Sequence, residues 1–389
     1  MPASRVDSQG FGVAGAAGGK GAMTSVTAAL IVRDEAEFIE DCLRSLAGNV
    51  DEIVLVDTGS RDQTMEIAGR FAVDLYHFPW CNDFSAARNF ALDRASSDWI
   101  LYIDADERLE IPSRDIYSQM LSERDMVAWR LRLHPRVGWT AYSELRLFRN
   151  EPRIRFKGVI HENIWPGVEM VARADGLKIG NCDLGLYHVG YEGDQRPKNS
   201  RNIPMLRESL SRDPNNLFCW WHLGECLRLG GDEEAAAEAW SIGIARLRAL
   251  EPGLRRLNQS ILYLALLKLQ RIRGMAKDDL MAEGLTFFPS NLALQWMSAQ
   301  FAVDRGDLEA ARPVLEGLAA IDGDAFFEPE LAYDKALFGH LSAELLALCH
   351  FRSGRFDDAA RLYRVAARTS PAPAACDLKA RLAQLRAPV

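Results

Sequence analysis

The stretch Ser97-Asp98-Trp99-Ile100-Leu101-Tyr102-Ile103-Asp104-Ala105-Asp106-Glu107 constrains this chain more than any other. Trp99 to Ile103 is an unbroken apolar and aromatic run, which reads as a short strand buried on both faces, as in the middle of a parallel sheet. It ends in the acids Asp104, Asp106 and Glu107. Two carboxylates one residue apart at a strand's end can face one loop and hold a hard divalent cation. Mg²⁺ and Mn²⁺ take oxygen ligands and commonly use one or two carboxylates plus substrate phosphate oxygens. The same residues also suit a solvated acidic turn, and Asp-x-Asp alone does not separate the two readings. The context upstream does.

Residues 26–32 read as a first buried strand, and 51–56 as a second. Between them Phe38, Ile39, Cys42, Leu43 and Leu46 recur at helical spacing over residues 36–47. Asp57-Thr58-Gly59-Ser60-Arg61-Asp62 turns into a helix over 64–71. A strand over 73–78 and a helix over 84–95 complete the run up to the acidic strand. Strand and helix alternating at about 20–25 residues per step predicts a mostly parallel sheet with helices on both faces. Ligands of such sheets sit outside the carboxyl ends of the strands. The turn at Asp57 and the loop at Asp104 to Asp106 both leave such an end, so one rim is expected to carry both.

Beyond the rim, residues 126–133 and 144–148 alternate as antiparallel strands do. Arg130, Arg132, Arg136, Arg146, Arg149, Arg153 and Arg155 make this section basic. Phe156-Lys157-Gly158-Val159-Ile160-His161-Glu162 follows, and the chain from there to Tyr187-His188-Val189-Gly190-Tyr191 reads as irregular. Residues 126–195 are expected to hold an acceptor. From Lys198 the pattern is helical. Trp220, Leu223, Gly224, Gly231, Ala236 and Trp240 fall at the large and small positions of a tetratricopeptide hairpin. Leu346, Gly354, Ala359, Tyr363 and Ala366 repeat those offsets, and Gly306 with Ala311 is a weaker copy. Such helix pairs stack on their neighbours, so these residues are read as packing rather than as a ligand site. The expected division is an N-terminal disordered extension over 1–23, an α/β domain over 24–197 and an all-α repeat domain over 198–389.

The 389 residues carry a net charge of -8, which argues against a general nucleic-acid binder but not against a nucleotide held through a metal and backbone amides. No apolar run reaches the roughly 18 residues of a membrane span. Residues 1–23 lack the apolar core of a signal peptide, and Met23 is an alternative start. Seven scattered cysteines without a Cys-x-x-Cys pair make structural zinc and a disulfide framework poor readings, so reduced thiols and a cytoplasmic location are expected.

Several segments together resemble the family 2 nucleotide-sugar glycosyltransferases, in particular a subgroup that joins this catalytic domain to tetratricopeptide repeats. They are Val56-Asp57-Thr58-Gly59-Ser60-Arg61-Asp62-Gln63-Thr64, Asp83-Phe84-Ser85-Ala86-Ala87-Arg88-Asn89 and Tyr102-Ile103-Asp104-Ala105-Asp106-Glu107, with His161-Glu162 and His188-Val189-Gly190-Tyr191 before Arg201-Asn202. The resemblance covers about residues 24–245. It implies a GT-A fold, a Rossmann-like sheet with Mn²⁺ or Mg²⁺ at an Asp-x-Asp motif, and a nucleoside-diphosphate sugar as donor, with a UDP-sugar expected first. By similarity, Asp57 contacts the base or ribose, Arg88 and Asn89 lie along the nucleotide, and Asp104 and Asp106 make the ribose and metal contacts. Many members carry a second acid where this chain has Thr58, which leaves base recognition open.

Chemistry gives these residues roles. Departure of the sugar leaves extra negative charge on the diphosphate, which a bridging cation stabilises as a Lewis acid. Asp106 is the first choice for direct metal ligand, Asp104 for a shared ribose or metal role, and His161 or His188 for completing the shell. Inverting displacement also needs a general base on the acceptor, for which Glu162 is the candidate. The plainer alternatives are a salt bridge from Arg88 to Asp104 or Asp106, a cap or ion pair for Glu162, and packed or loop histidines. The expected function is metal-dependent glycosyl transfer, with the repeats holding a peptide, protein or cell-envelope glycan acceptor. Two other readings are an inactive scaffold built on the repeats and a nucleotidyltransferase. The intact acids oppose the first. The second usually has a Gly-rich basic loop where Arg33-Asp34-Glu35 stands.

Overall fold

The computed structural model describes residues 24–190, 196–275 and 278–387; the expected N-terminal extension and Tyr191 lie outside them. Strands and helices alternate as the pattern predicts: β1 (Val26–Val32), α1 (Ile39–Leu46), β2 (Glu52–Asp57), α2 (Thr64–Ala68), β3 (Asp74–His77), α3 (Phe84–Leu92) and β4 (Trp99–Tyr102). After them come β5 (Glu107–Glu110), α4 (Arg114–Ser122), β6 (Met126–His134), β7 (Tyr142–Arg149), α5 (Trp165–Asp175) and β8 (Lys178–His188). The eight strands form one mixed sheet in the order β3-β2-β1-β4-β7-β6-β8-β5. β1 pairs in parallel with β2 and β4, and β2 with β3. β7 runs antiparallel to β4, whereas β6 and β8 are parallel to each other.

Alternation along the strands explains the layering. Ala29, Val54, Val56 and Ile100 face one side, where Ala91 and Leu92 of α3 and Val168 and Val171 of α5 pack on them. Ala28, Leu30 and Val32 are buried on the other side. There α1 buries Ile39, Cys42, Leu43 and Leu46, each completely. A buried aliphatic side chain is worth about 1.5–3 kcal/mol against exposure, so this double-sided packing anchors the rim.

The reading of residues 163–186 as irregular is corrected by α5 and β8. Its signals were local: Pro166 starts α5, and Gly176, at φ 68°, caps it in the left-handed conformation. Gly167 in the first turn of α5, and Gly180 and Gly185 within β8, interrupt the periodicity that would otherwise mark both elements. The short β5 and the helix α4 are further additions to the order expected from the sequence pattern.

Two compact units emerge: described residues up to Arg136 and from Ser143 to Gly190 form the first, and Val137–Tyr142 with those from Arg196 on form the second. The second unit contains α6 (Arg196–Arg212), α7 (Leu217–Leu229), α8 (Glu233–Arg248), α9 (Ile261–Ile272), α10 (Asp278–Phe287), α11 (Leu292–Asp304), α12 (Leu308–Ala319), α13 (His340–Arg352), α14 (Phe356–Ala367) and α15 (Pro373–Arg386). Its hairpins share one local device. Gly231, Gly306 and Gly354 turn at φ 91°, 83° and 77°, and Asp232 and Asp307 then cap α8 and α12 by accepting from Ala235 and Ala310 at 3.0 and 3.1 Å. Thr140 N–H donates to the Tyr333 carbonyl at 2.8 Å, and Tyr333 N–H to Thr140 Oγ1 at 2.9 Å, which ties residues 137–142 into this unit. All seven cysteines are free.

The hairpin of α7 and α8 depends on Gly224 lying against the buried Trp240 ring. A Cβ at Gly224 would stand 2.1 Å from Trp240 Nε1, which donates to the Trp221 carbonyl at 3.0 Å. Helix propensity favours Ala over Gly by about 1 kcal/mol, but overpacking a rigid indole costs about 1–3 kcal/mol. Gly224→Ala is therefore expected to destabilise, read as a lowered urea midpoint for the helical unit; a raised midpoint would contradict this packing.

Candidate active site

Strand order reverses between β1 and β4, where open α/β sheets leave a crevice for ligands. Asp104 leaves the sheet there, just after Ile103 N–H donates to the Ala29 carbonyl at 3.2 Å. α3 supplies the opposite wall. Asp83 caps it by accepting from Ala86 N–H at 3.0 Å. The helix then grips the segment before α5: Phe84 N–H donates to the Val159 carbonyl at 3.0 Å and Ser85 Oγ to the Gly158 carbonyl at 2.6 Å. Asn89 exchanges two bonds with the Phe156 backbone, at 3.0 and 2.9 Å. Its carboxamide thus holds this segment.

Lys157 and Asn163 close the segment into a loop by paired backbone bonds of 3.1 and 2.8 Å. The loop turns through Gly158 at φ 107° and His161 at φ 51°, the region a β-carbon disfavours. That turn delivers Glu162 to Arg88, whose Nε donates to Glu162 Oε1 at 2.5 Å while its Nη2 donates to Asp104 Oδ1 at 2.7 Å. Arg88 is only 8% exposed, and its guanidinium carbon lies 5.1 and 5.5 Å from the Tyr102 and Phe156 ring centres. Burial disfavours its charge, but Asp104 and Glu162 outweigh that and raise its pKa. The alternative of a salt bridge to Asp104 is what the structure contains, with Glu162 as second partner in place of Asp106.

A second guanidinium backs the first. Arg146 forks onto Glu107 at 3.0 and 2.8 Å, lies 4.5 Å from the Tyr102 ring centre and 3.9 Å from Asp104. Glu107 is 1% exposed and accepts from Asp104 N–H at 2.9 Å. Burial pushes the Glu107 carboxyl up to about 7, against the pull of Arg146. Burial also works to raise Asp104, yet Arg88 and Arg146 hold it at about 2. Glu107 stood in the acidic run and Arg146 among seven nearby arginines, so nothing in the sequence singled out their pairing.

Asp106 faces away from this network. Its Oδ2 lies 3.2 Å from His188 Nε2, and Val189 N–H donates to the Asp106 carbonyl at 2.9 Å. Gly190 N–H donates to His188 Nδ1 at 3.3 Å, which puts the neutral ring's proton on Nε2, toward Asp106. Burial opposes charge on His188, but Asp106 outweighs it and raises its pKa. A Cβ at Gly190 would stand 2.3 Å from Asp106 Oδ2, so only glycine lets the chain pass so close. Asp57, 5% exposed, ends β2 and accepts from Gly59 N–H at 3.1 Å and Ser60 N–H at 3.0 Å.

Asp106 and His188 are one hard oxygen donor and one imidazole nitrogen side by side. With its proton moved to Nδ1 at the expense of the Gly190 bond, His188 would offer Nε2 beside Asp106, a pair that suits Mn²⁺ or Mg²⁺ when phosphate oxygens supply the remaining ligands. Among the described residues no three His, Cys, Asp or Glu side chains are grouped as a metal shell. Of the four residues expected to hold a metal, Asp106 and His188 lie side by side, and Asp104 is turned to two arginines.

Residues 27–158 match the sequence model of glycosyl transferase family 2. The N-terminal unit carries a glycosyl transferase family 2 domain. A TPR repeat-containing protein of Synechococcus elongatus is 36% identical over 254 residues, covering 64% of this chain and 62% of the relative. The SPbeta prophage-derived glycosyltransferase SunS of Bacillus subtilis is 29% identical over 222 residues, covering 54% of this chain and 51% of that protein. The chain thus spans less than two thirds of the length of either. The solved mannosyltransferase PcManGT from Pyrobaculum calidifontis, in complex with GDP-Man and Mn²⁺, is 16% identical with a TM-score of 0.38, over 73% of this chain and 87% of that one.

Breaking the buried pair at Arg146 leaves Glu107 without its partner, which costs about 3–5 kcal/mol in comparable sites. Arg146→Ala is expected to lower stability by that order in urea unfolding, and adding Glu107→Gln, which removes the stranded charge, to recover part of it. A double variant no better than the single one would contradict the pairing.

Proposed function

We propose that this chain is a metal-dependent glycosyltransferase that moves a sugar from a nucleoside-diphosphate sugar, a UDP-sugar first, to an acceptor with inversion. The observation that carries the reading is the division of labour at the end of β4, inside the family 2 match. Asp104 is locked by Arg88, while Asp106 is turned to His188.

In this reading Asp106 and His188 hold a divalent cation together with the donor's diphosphate. Bound there, the cation supplies Lewis-acid stabilisation of the charge that builds on the leaving phosphate. Asp104 receives the donor's ribose on the edge that Arg88 leaves, and Asp57 lies on the base side of the same rim. Glu162 takes the proton from the acceptor as it attacks the anomeric carbon from the face opposite the leaving group. Arg88 fixes Glu162 and Asp104 in one geometry, so donor and base are positioned together. The helical unit holds the acceptor, a peptide, protein or cell-envelope glycan. Stacked helix pairs commonly bind extended chains, which supports that part by analogy of fold alone.

Many transferases hydrolyse their donor slowly when water replaces the acceptor, so a panel of nucleoside-diphosphate sugars with Mn²⁺ tests the reading. The expected result is metal-dependent release of one nucleoside diphosphate, abolished in Asp106→Ala and by chelation. Glu162→Gln is expected to lower turnover by about 10²–10⁴ while donor binding persists. No donor bound with any metal would remove the catalytic reading.

A further inference from the structure

Thr58 stands where many members of the resembled family carry a second acid. Thr58 does not fill the role of a second acid. It is 6% exposed, and both its N–H and its Oγ1 donate inward to the Val32 carbonyl, at 2.9 and 3.1 Å. Asp57 is also largely engaged, accepting from two backbone N–H groups of its own turn. A neighbouring strand supplies a third partner. β2 and β3 pair in register with Asp57 opposite His77, and His77 Nδ1 lies 3.3 Å from Asp57 Oδ2. The Asp57 side chain is 8% exposed and the His77 side chain 58%.

We infer that His77 reads the nucleobase of the donor, with Asp57 acting as the group that orients it. The inference rests on the glycosyltransferase reading and deepens it. A carboxylate facing Nδ1 fixes the ring: Nδ1–H donates to Asp57, and Nε2 is left as an acceptor on the solvent side of the rim. An oriented acceptor at the end of β3 is matched by a ring N–H or exocyclic amino group of a base, and a misfit base leaves it unpaired. Unpaired polar groups are what let sites discriminate strongly. Gly59, at φ 109°, has nothing within 4 Å of where a Cβ would be, so that side of the turn beside Asp57 is open. Thr58 thus frees no recognition group, and the exposed imidazole one strand away takes its place.

The test is the affinity of the free nucleoside diphosphates UDP, GDP, ADP and dTDP in the presence of Mn²⁺, by calorimetry, for the wild type, His77→Ala and Asp57→Asn. Unchanged melting temperatures establish that the variants fold. The preferred nucleotide is expected to weaken about tenfold in His77→Ala, the order of one hydrogen bond, while nucleotides whose base presents a different edge move less than about twofold, UDP and dTDP, which share one edge, moving together. Asp57→Asn is expected to narrow the same discrimination. Equal weakening of all four nucleotides would mean contact with ribose or phosphate and overturn the inference, as would unchanged discrimination. A wild type that binds none of the four removes the parent reading instead, which separates the two failures.

Discussion

The buried guanidinium of Arg88 is the interaction on which the rest of the site depends. One charged group, enclosed by Tyr102 and Phe156, meets Asp104 from β4 and Glu162 from the loop before α5. A planar fork can serve two carboxylates at fixed directions, which the single point charge of a lysine cannot reproduce. Burial makes the arrangement costly unless both acids stay in place, so the site holds together as a unit. Phe84, Ser85 and Asn89 grip the same loop from the same helix, and they bring Glu162 to the rim.

That lock also sorts the two acids of Asp104-Ala105-Asp106. Here the turn after β4 gives the two carboxylates different partners. Asp104 turns to the arginines and is held ionised, and Asp106 turns to His188 at the end of β8. The far edge of the sheet therefore completes the site: β8 reaches it by pairing with β5, where Glu107 lies opposite His188. Gly190 then passes hard against Asp106 and keeps that carboxylate from swinging. A strand-to-strand register is thus what couples the Arg88 side of the rim to the His188 side.

The first four strands and three helices were legible because each is a compact apolar run with a clear boundary. The helical unit was legible because Gly and Trp recur at fixed offsets, and Gly224 against Trp240 is the contact those offsets encode. Asp57, Arg88, Asp104, Asp106, Glu162 and His188 all lie in the first unit's rim or its immediate support. What a sequence could not supply was pairing. Arg88 meets Glu162 across 74 positions, and Arg146 meets Glu107 across 39. Nothing local distinguishes Arg146 from Arg149 or Arg153. Asn89 sits beside Arg88, and one helical step turns it to the Phe156 backbone. α5 and β8 are hard to read because Gly167 in the helix's first turn and Gly180 and Gly185 in the strand interrupt the periodicity, although Pro166 and Gly176 mark both ends of the helix.

The central claim is that Asp106 and His188 form half of a metal site which a nucleoside diphosphate completes. Electron paramagnetic resonance of Mn²⁺ titrated into the protein tests it directly. The account predicts weak binding of Mn²⁺ alone, tight binding once UDP or another nucleoside diphosphate is added, and loss of that gain in His188→Ala with the fold intact. Tight Mn²⁺ binding that ignores the nucleotide, or a nucleotide-dependent gain that survives in His188→Ala, would contradict it.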